Sequence, residues 1–204
     1  MKNSFLIKNK ALITVLVFLA LLLCFSAGAP QVQKNDLTWS LGLQNQKTMK
    51  LVSLNPPVQL ITGDSFFVLV EPQKDCYLYL IAESVQNEEI IVYYAGSCKG
   101  GVEWRSPEIR LIPPEGTENF FVVVSLAEQA ALAQRISAFN SDSGIIQRRA
   151  LMNEVFRIRA EVSNLVETPE KPVLMGGALR GSEEENAREF SGVGTYVKTI
   201  SIEH

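Results

Sequence analysis

Asp75-Cys76-Tyr77-Leu78-Tyr79-Leu80-Ile81, answered by Ile90-Ile91-Val92-Tyr93-Tyr94 and then by Cys98, decides the fold. The two apolar runs flank Val85-Gln86-Asn87-Glu88-Glu89, which is polar enough to be a turn, so the stretch reads as a β-hairpin. A register centred on Asn87 sets Cys76 opposite Cys98. Directly opposed residues at a non-hydrogen-bonded antiparallel position lie about 4.5 Å apart at Cα, near the short end of disulfide geometry. Closing the loop between them would contribute roughly 3 kcal/mol by chain entropy, less any strain. The alternative is a pair of free thiols, one in a strand and one in a loop.

Working outward, the segments around the hairpin are also strands. Leu37-Thr38-Trp39-Ser40-Leu41-Gly42-Leu43 alternates apolar and polar with period two and predicts an early edge strand. Residues 47–57 are polar and end in Asn55-Pro56-Pro57, which marks a connection. Val58–Ile61 and Ser65–Val70 flank Thr62-Gly63-Asp64, and Phe66–Val70 is apolar on both faces, as a central, doubly covered strand would be. Beyond the hairpin come the Lys99-Gly100-Gly101 loop, Trp104, a short strand over Glu108–Ile112, the turn Pro113-Pro114-Glu115-Gly116-Thr117 and a β-rich run over Asn119–Ser125. Strands at this close spacing, without βαβ alternation, predict a mainly β fold with some α: an antiparallel β-sandwich or a partly open barrel.

The period then changes. Residues 126–139 are rich in helix formers, and Ser125 with Glu128 has capping-box spacing. A second helix is predicted over 145–165, where Leu151, Val155, Ile158, Val162 and Leu165 form one apolar stripe. That stripe suits packing on the chain's own sheet; a coiled-coil seam is the other use. About 167–192, with two prolines, Met175-Gly176-Gly177 and the acidic run Glu183–Glu185, reads as a mobile surface connection. Thr195–Ile202 reads as a terminal strand that returns to the sheet.

The amino end bears on compartment. Lys2, Lys8 and Lys10 precede the apolar run Ala11–Phe25, and the small residues Ser26, Ala27, Gly28 and Ala29 follow: the three regions of a secretory signal. A cut after Gly28 leaves residues 29–204 as a single β-rich domain, periplasmic or extracellular. An uncleaved anchor over 11–29 and a lipoprotein acylated at Cys24 are the alternatives, the latter disfavoured by Leu23 where a small residue is usual. Cleavage would remove one of three cysteines and leave an even pair in an oxidising compartment.

Gly63-Asp64 opening a strand, the Tyr77-Leu78-Tyr79-Leu80 strand, and Pro114-Glu115-Gly116-Thr117-Glu118 leading into Phe121-Val122-Val123-Val124-Ser125 resemble domain-of-unknown-function family 4384 over about Val58–Ser125. The resemblance implies a small β-rich module of bacterial envelope-associated proteins with no established reaction. The chain departs from the family pattern at Gln86-Asn87-Glu88 and at Tyr93-Tyr94-Ala95-Gly96, where a Gly-containing turn and a Leu-Phe-Pro-Asn-like strand end are usual.

Chemistry is sparse in this sequence. The whole chain carries a net charge of −3 and its leader only lysines, so the remainder is more acidic still and offers no basic stripe for nucleic acid. The sole histidine is His204, the last residue, which a serine or cysteine triad would have to use at a frayed terminus. No zinc ligand set or phosphate loop is present, and no cofactor is expected. Asp64 has a sufficient structural role in accepting a backbone N–H at its turn. The expected function is a non-catalytic module binding a protein or glycan of the cell envelope, with Tyr93, Tyr94 and Trp104 as the candidate interaction surface. The membrane is touched only if residues 11–29 stay attached. A carboxylate-dependent hydrolase is the alternative; two acids with raised pKa in one cleft would favour it.

Overall fold

Phe120-Phe121-Val122-Val123-Val124 is apolar on both faces, and the fold supplies each face with its own core. The computed structural model describes residues 36–140, 142–162, 171–172 and 187–204. The predicted leader and anchor, Met175-Gly176-Gly177 and Glu183–Glu185 lie outside them.

The doubly apolar run sits in β9 (Thr117–Ser125), the middle strand of a five-stranded sheet. Its order is β3 (Val58–Gln59), β12 (Thr195–Glu203), β9, β5 (Cys76–Ser84), β6 (Glu89–Cys98). A second sheet runs β10 (Lys171–Pro172), β11 (Arg188–Val193), β1 (Asp36–Asn45), β4 (Ser65–Pro72), β7 (Trp104–Arg105), with β2 (Leu51–Val52) on β1 and β8 (Ile109–Arg110) on β4. Phe120, Val122 and Val124 enter a core shared with Leu37, Trp39, Leu41 and Leu43 of β1 and Phe66, Val68 and Val70 of β4. Phe121 and Val123 instead meet Leu132 of α1 (Ala130–Ser137) and Leu151, Met152, Val155 and Ile158 of α2 (Ile145–Val162). The result is a sandwich of two sheets with a helical layer on one outer face; neither sheet closes into a barrel.

Several expectations are corrected. β1 is not an edge strand, because it pairs over Trp39–Asn45 with β4 and over Asp36–Leu41 with β11. The strand β11 falls within the segment expected to be a mobile connection; its Phe190 is buried and stacks on Trp39 at 4.9 Å, which supplies the apolar anchor that composition concealed. Gly194, at φ +74°, then makes the turn from β11 in one sheet to β12 in the other, a left-handed conformation that favours glycine. As expected, β12 returns to the sheet, pairing with β9 from Thr195 to Glu203.

The capping box does not form. β9 continues to Ser125, which pairs with both Tyr77 and Thr195, and its hydroxyl lies 2.8 Å from Thr195 Oγ1 instead of turning back to cap a helix. α1 accordingly starts at Ala130, and the Gln129 N–H donates to the buried Tyr79 phenol at 3.1 Å. A side chain from the sheet thus satisfies an amide at the helix start.

The hairpin keeps the predicted pairing of Cys76 with Cys98 but reaches it differently. Its loop is Val85–Glu88, with Ser84 opposite Glu89, and a bulge between the Leu80–Tyr94 and Ile81–Val92 pairs inserts Tyr93. One extra residue locally breaks the alternation of sides. Consecutive Tyr93 and Tyr94 therefore both pack against the inter-sheet core.

Trp39 is fully buried between Phe190 and Tyr196, so it ties β1 to the last two strands. Trp39→Ala is expected to cost roughly 3–5 kcal/mol as a lowered urea midpoint. Ile146→Ala, at a side chain 77% exposed, should change stability by less than about 0.5 kcal/mol.

Candidate functional site

Two faces of α2 do different work. Leu151, Val155 and Ile158 form the buried stripe that docks on the sheet. Ile145, Arg148, Arg149, Met152, Asn153 and Phe156 recur at the same helical spacing on a neighbouring face, and they overhang the end of the β5–β6 hairpin. Beneath them lie Glu83, Ser84, Val85, Glu88 and Ile90, and between the two sets opens a cleft of about 470 Å³. Two further hollows are smaller: about 240 Å³ beside Tyr77, Tyr79 and Ile136, and about 50 Å³ beside Leu41, Val58 and Lys198.

Arg148 holds the cleft open at a fixed height. Its Nε donates to the Ser143 carbonyl at 3.1 Å and its Nη1 to the Glu88 carbonyl at 3.0 Å, which joins the start of the helix to the hairpin turn. Glu88 sits at φ +49°, a left-handed conformation unusual for a side chain of its kind. Phe156 meets Phe121 edge to face at 5.7 Å while staying 42% exposed, so one rim of the cleft is aromatic and open. Among the described residues the side chains of Glu83 and Arg149 make no hydrogen bond or ion pair. Burial without a partner pushes the Glu83 carboxyl above its ordinary range.

The sequence candidates fall elsewhere. Tyr93 stacks on Phe120 at 6.2 Å, and burial, with Glu118 and then Glu89 nearby, pushes its phenol up to about 12. Tyr94 and Trp104 lie ring to ring at 4.7 Å and pack against the inter-sheet core, with the Tyr94 hydroxyl donating to the Ser97 carbonyl at 2.9 Å. All three aromatics are half-buried on β6 and β7, the outer strands of the two sheets, and none lines the cleft.

Cys76 and Cys98 are buried, directly opposed and unbridged in the structure. Burial pushes the Cys76 thiol up to about 12, with Cys98 and Asp75 adding to the rise, and burial also raises Cys98. The loop that follows is clamped beside them: Gly100 N–H donates to Asp75 Oδ1 at 2.8 Å, and a Cβ on Gly100 would lie 2.7 Å from the Lys74 backbone.

Gly63, at φ +92°, supports the predicted turn, but the Asp64 carboxylate pairs with Lys47 at 3.0 Å and makes no bond to a backbone N–H among the described residues. The expectation of a frayed His204 is also corrected. Its side chain is fully buried, its backbone exchanges hydrogen bonds of 2.8 and 3.0 Å with Gly116, and its Nδ1 lies 3.0 Å from Thr62 Oγ1. Glu118 Oε1 is 3.9 Å from Nε2, completing a threonine–histidine–glutamate row, yet none of the three hollows described is lined by these residues.

Two glutamates other than surface ones have raised pKa, but they sit apart: Glu83 in the cleft, and Glu103 next to β7 of the other sheet, where burial and Glu71 raise it. Among the described residues no cluster of His, Cys, Asp or Glu suits a metal ion. No protein-family model matches the chain, and no curated protein or solved structure matches it either.

Because its pKa is raised on folding, Glu83 contributes most to stability below its unfolded value, and that contribution is lost as pH rises through the folded value. Glu83→Gln should therefore melt at a higher temperature than the parent at pH 7 and match it near about pH 3. A variant that melts lower at pH 7 would contradict this account of the cleft.

Proposed function

We propose that this chain is an exported cell-envelope protein acting as a non-catalytic binding module for a protein or glycan, and that the cleft between the hairpin end and α2 is its binding site. The observation that carries the reading is the cleft itself. A rigid floor of β-hairpin, an arginine fixed by two carbonyls, an open aromatic rim and unpaired charges make a site prepared to hold a ligand. The sequence supports export through its lysine-flanked apolar leader, and the resemblance to family 4384 supports an envelope role without a reaction. Tyr93, Tyr94 and Trp104, which pack against the inter-sheet core, lie outside this cleft.

A hydrolase reading draws on Glu83, with Glu88 as the other carboxylate lining the cleft. It requires a second carboxylate at the reacting bond, and turnover lost in Glu83→Gln with ligand binding retained would favour it.

A photo-reactive benzoylphenylalanine in place of Phe156 in the exported protein should give a discrete adduct in intact cells, whereas the same group at Ile61, which is 73% exposed, should not. Adducts of equal yield at both positions, or none at 156, would count against the cleft.

Export also decides the fate of the cysteines. In the oxidising compartment the opposed pair is expected to be bridged. Non-reducing peptide mapping of exported protein should recover Cys76 joined to Cys98, and after reduction both buried thiols should resist alkylation at pH 7 until the protein is unfolded. Free thiols at both positions in exported protein would refute the bridge.

A further inference from the structure

The cleft holds charges of both signs that the protein itself leaves unneutralised. The Glu83 and Glu88 carboxylates stand on the sheet side and the Arg149 guanidinium on the helix side, all lining the same 470 Å³ space, and among the described residues none of the three side chains has a hydrogen-bond or ion-pair partner. Between them the walls are apolar, from Ile90, Met152 and Phe156. A cation alone would leave the exposed Arg149 to solvent, an anion alone would leave the half-buried Glu83 without a partner, and an uncharged glycan would cover both charges without neutralising either. The complement is a ligand with a positive end, a negative end and an apolar body.

We infer that the cleft binds a short apolar peptide with free termini, of di- to tripeptide size, its ammonium on Glu83 and its carboxylate on Arg149. This rests on the reading of the cleft as the binding site and names its ligand class. A space of this volume is roughly 10 Å across, which suits the separation of the two ends of such a peptide. Arg148, with two of its donors already engaged by carbonyls, fixes the height of the helix, while Arg149 on the same turn has its guanidinium free to bind a carboxylate through two parallel hydrogen bonds. Phe156 and Met152 receive the peptide's side chains.

The test is calorimetric titration of the full domain, residues 29–204, with the dipeptide Leu-Phe, its N-acetyl form and its C-terminal amide. Free Leu-Phe, with about 20 non-hydrogen atoms, should bind with a dissociation constant of roughly 10–100 µM, the range ordinary ligand efficiency allows. Acetylation and amidation should each weaken binding at least about tenfold. Glu83→Gln should erase the penalty for acetylation but keep that for amidation, and Arg149→Gln should do the reverse. Glu83 is half-buried and Arg149 exposed, and circular dichroism shows whether the fold is kept. Failure of free Leu-Phe to bind, blocked peptides binding as well as the free one, or penalties that the variants do not move would each overturn the inference. If the titration fails while the adduct at position 156 persists, the ligand class is wrong and the cleft remains the binding site; if both fail, the cleft reading falls as well.

Discussion

The constraint on which the structure depends is that the sheet holding β5 and β9 is apolar on both faces and so must be covered twice. Even-numbered residues of β9, Phe120, Val122 and Val124, are covered by β1 and β4; odd-numbered Phe121 and Val123 are covered by α1 and α2. A sheet with one wet face would need only a partner sheet, and a sandwich would suffice. Here the second apolar face draws the helices onto the outside, and the chain after Ser125 supplies them. Each buried Val or Phe on that face gains about 1.5–3 kcal/mol relative to exposure, which decides the helices' position more strongly than their modest intrinsic propensity.

The cleft follows from a mismatch in this covering. The buried stripe of α2 begins at Leu151, whereas the helix begins at Ile145, so its first turns extend past the apolar part of the sheet and over Glu83 and the hairpin turn. Only Val85 and Ile90 offer apolar surface under that overhang, among Glu83, Ser84 and Glu88, and Arg148 bonds to carbonyls there. Space is left where helix and sheet no longer match. The unpaired carboxylate and guanidinium sit in that space.

Much of the fold was legible from period alone. The hairpin, the strand over Asn119–Ser125, the return of β12 and the stripe of α2 as far as Ile158 are each present, while Leu165 lies outside the described residues; the double covering expected of Phe66–Val70 is found instead at β9. What failed to show was pairing at a distance. Nothing near Leu37–Leu43 reveals that β11 will lie beside it, because β11 has only Phe190 and the exposed Val193 to mark it as a strand. Ser125 and Glu128 fit a capping box by spacing, but cross-strand bonds to Thr195 outcompeted it. The bulge at Tyr93 was hidden because a four-residue loop plus one extra residue gives the same cysteine pairing as a symmetric five-residue loop. The site was less legible than the fold: the cleft face of α2 has helical spacing too, but its mixture of arginine, methionine, asparagine and phenylalanine reads as an ordinary surface until the hairpin end is placed beneath it.

Residue-resolved hydrogen exchange of residues 29–204 tests the layered account most directly. The amides of Phe120–Val124 and those of Leu151–Ile158 should be protected to a similar degree, exchanging only as the whole structure opens, because each layer covers the other. Exchange of Leu151–Ile158 at the rate of an unfolded chain, with the sheet still protected, would show that the helix does not cover it and that the cleft does not exist.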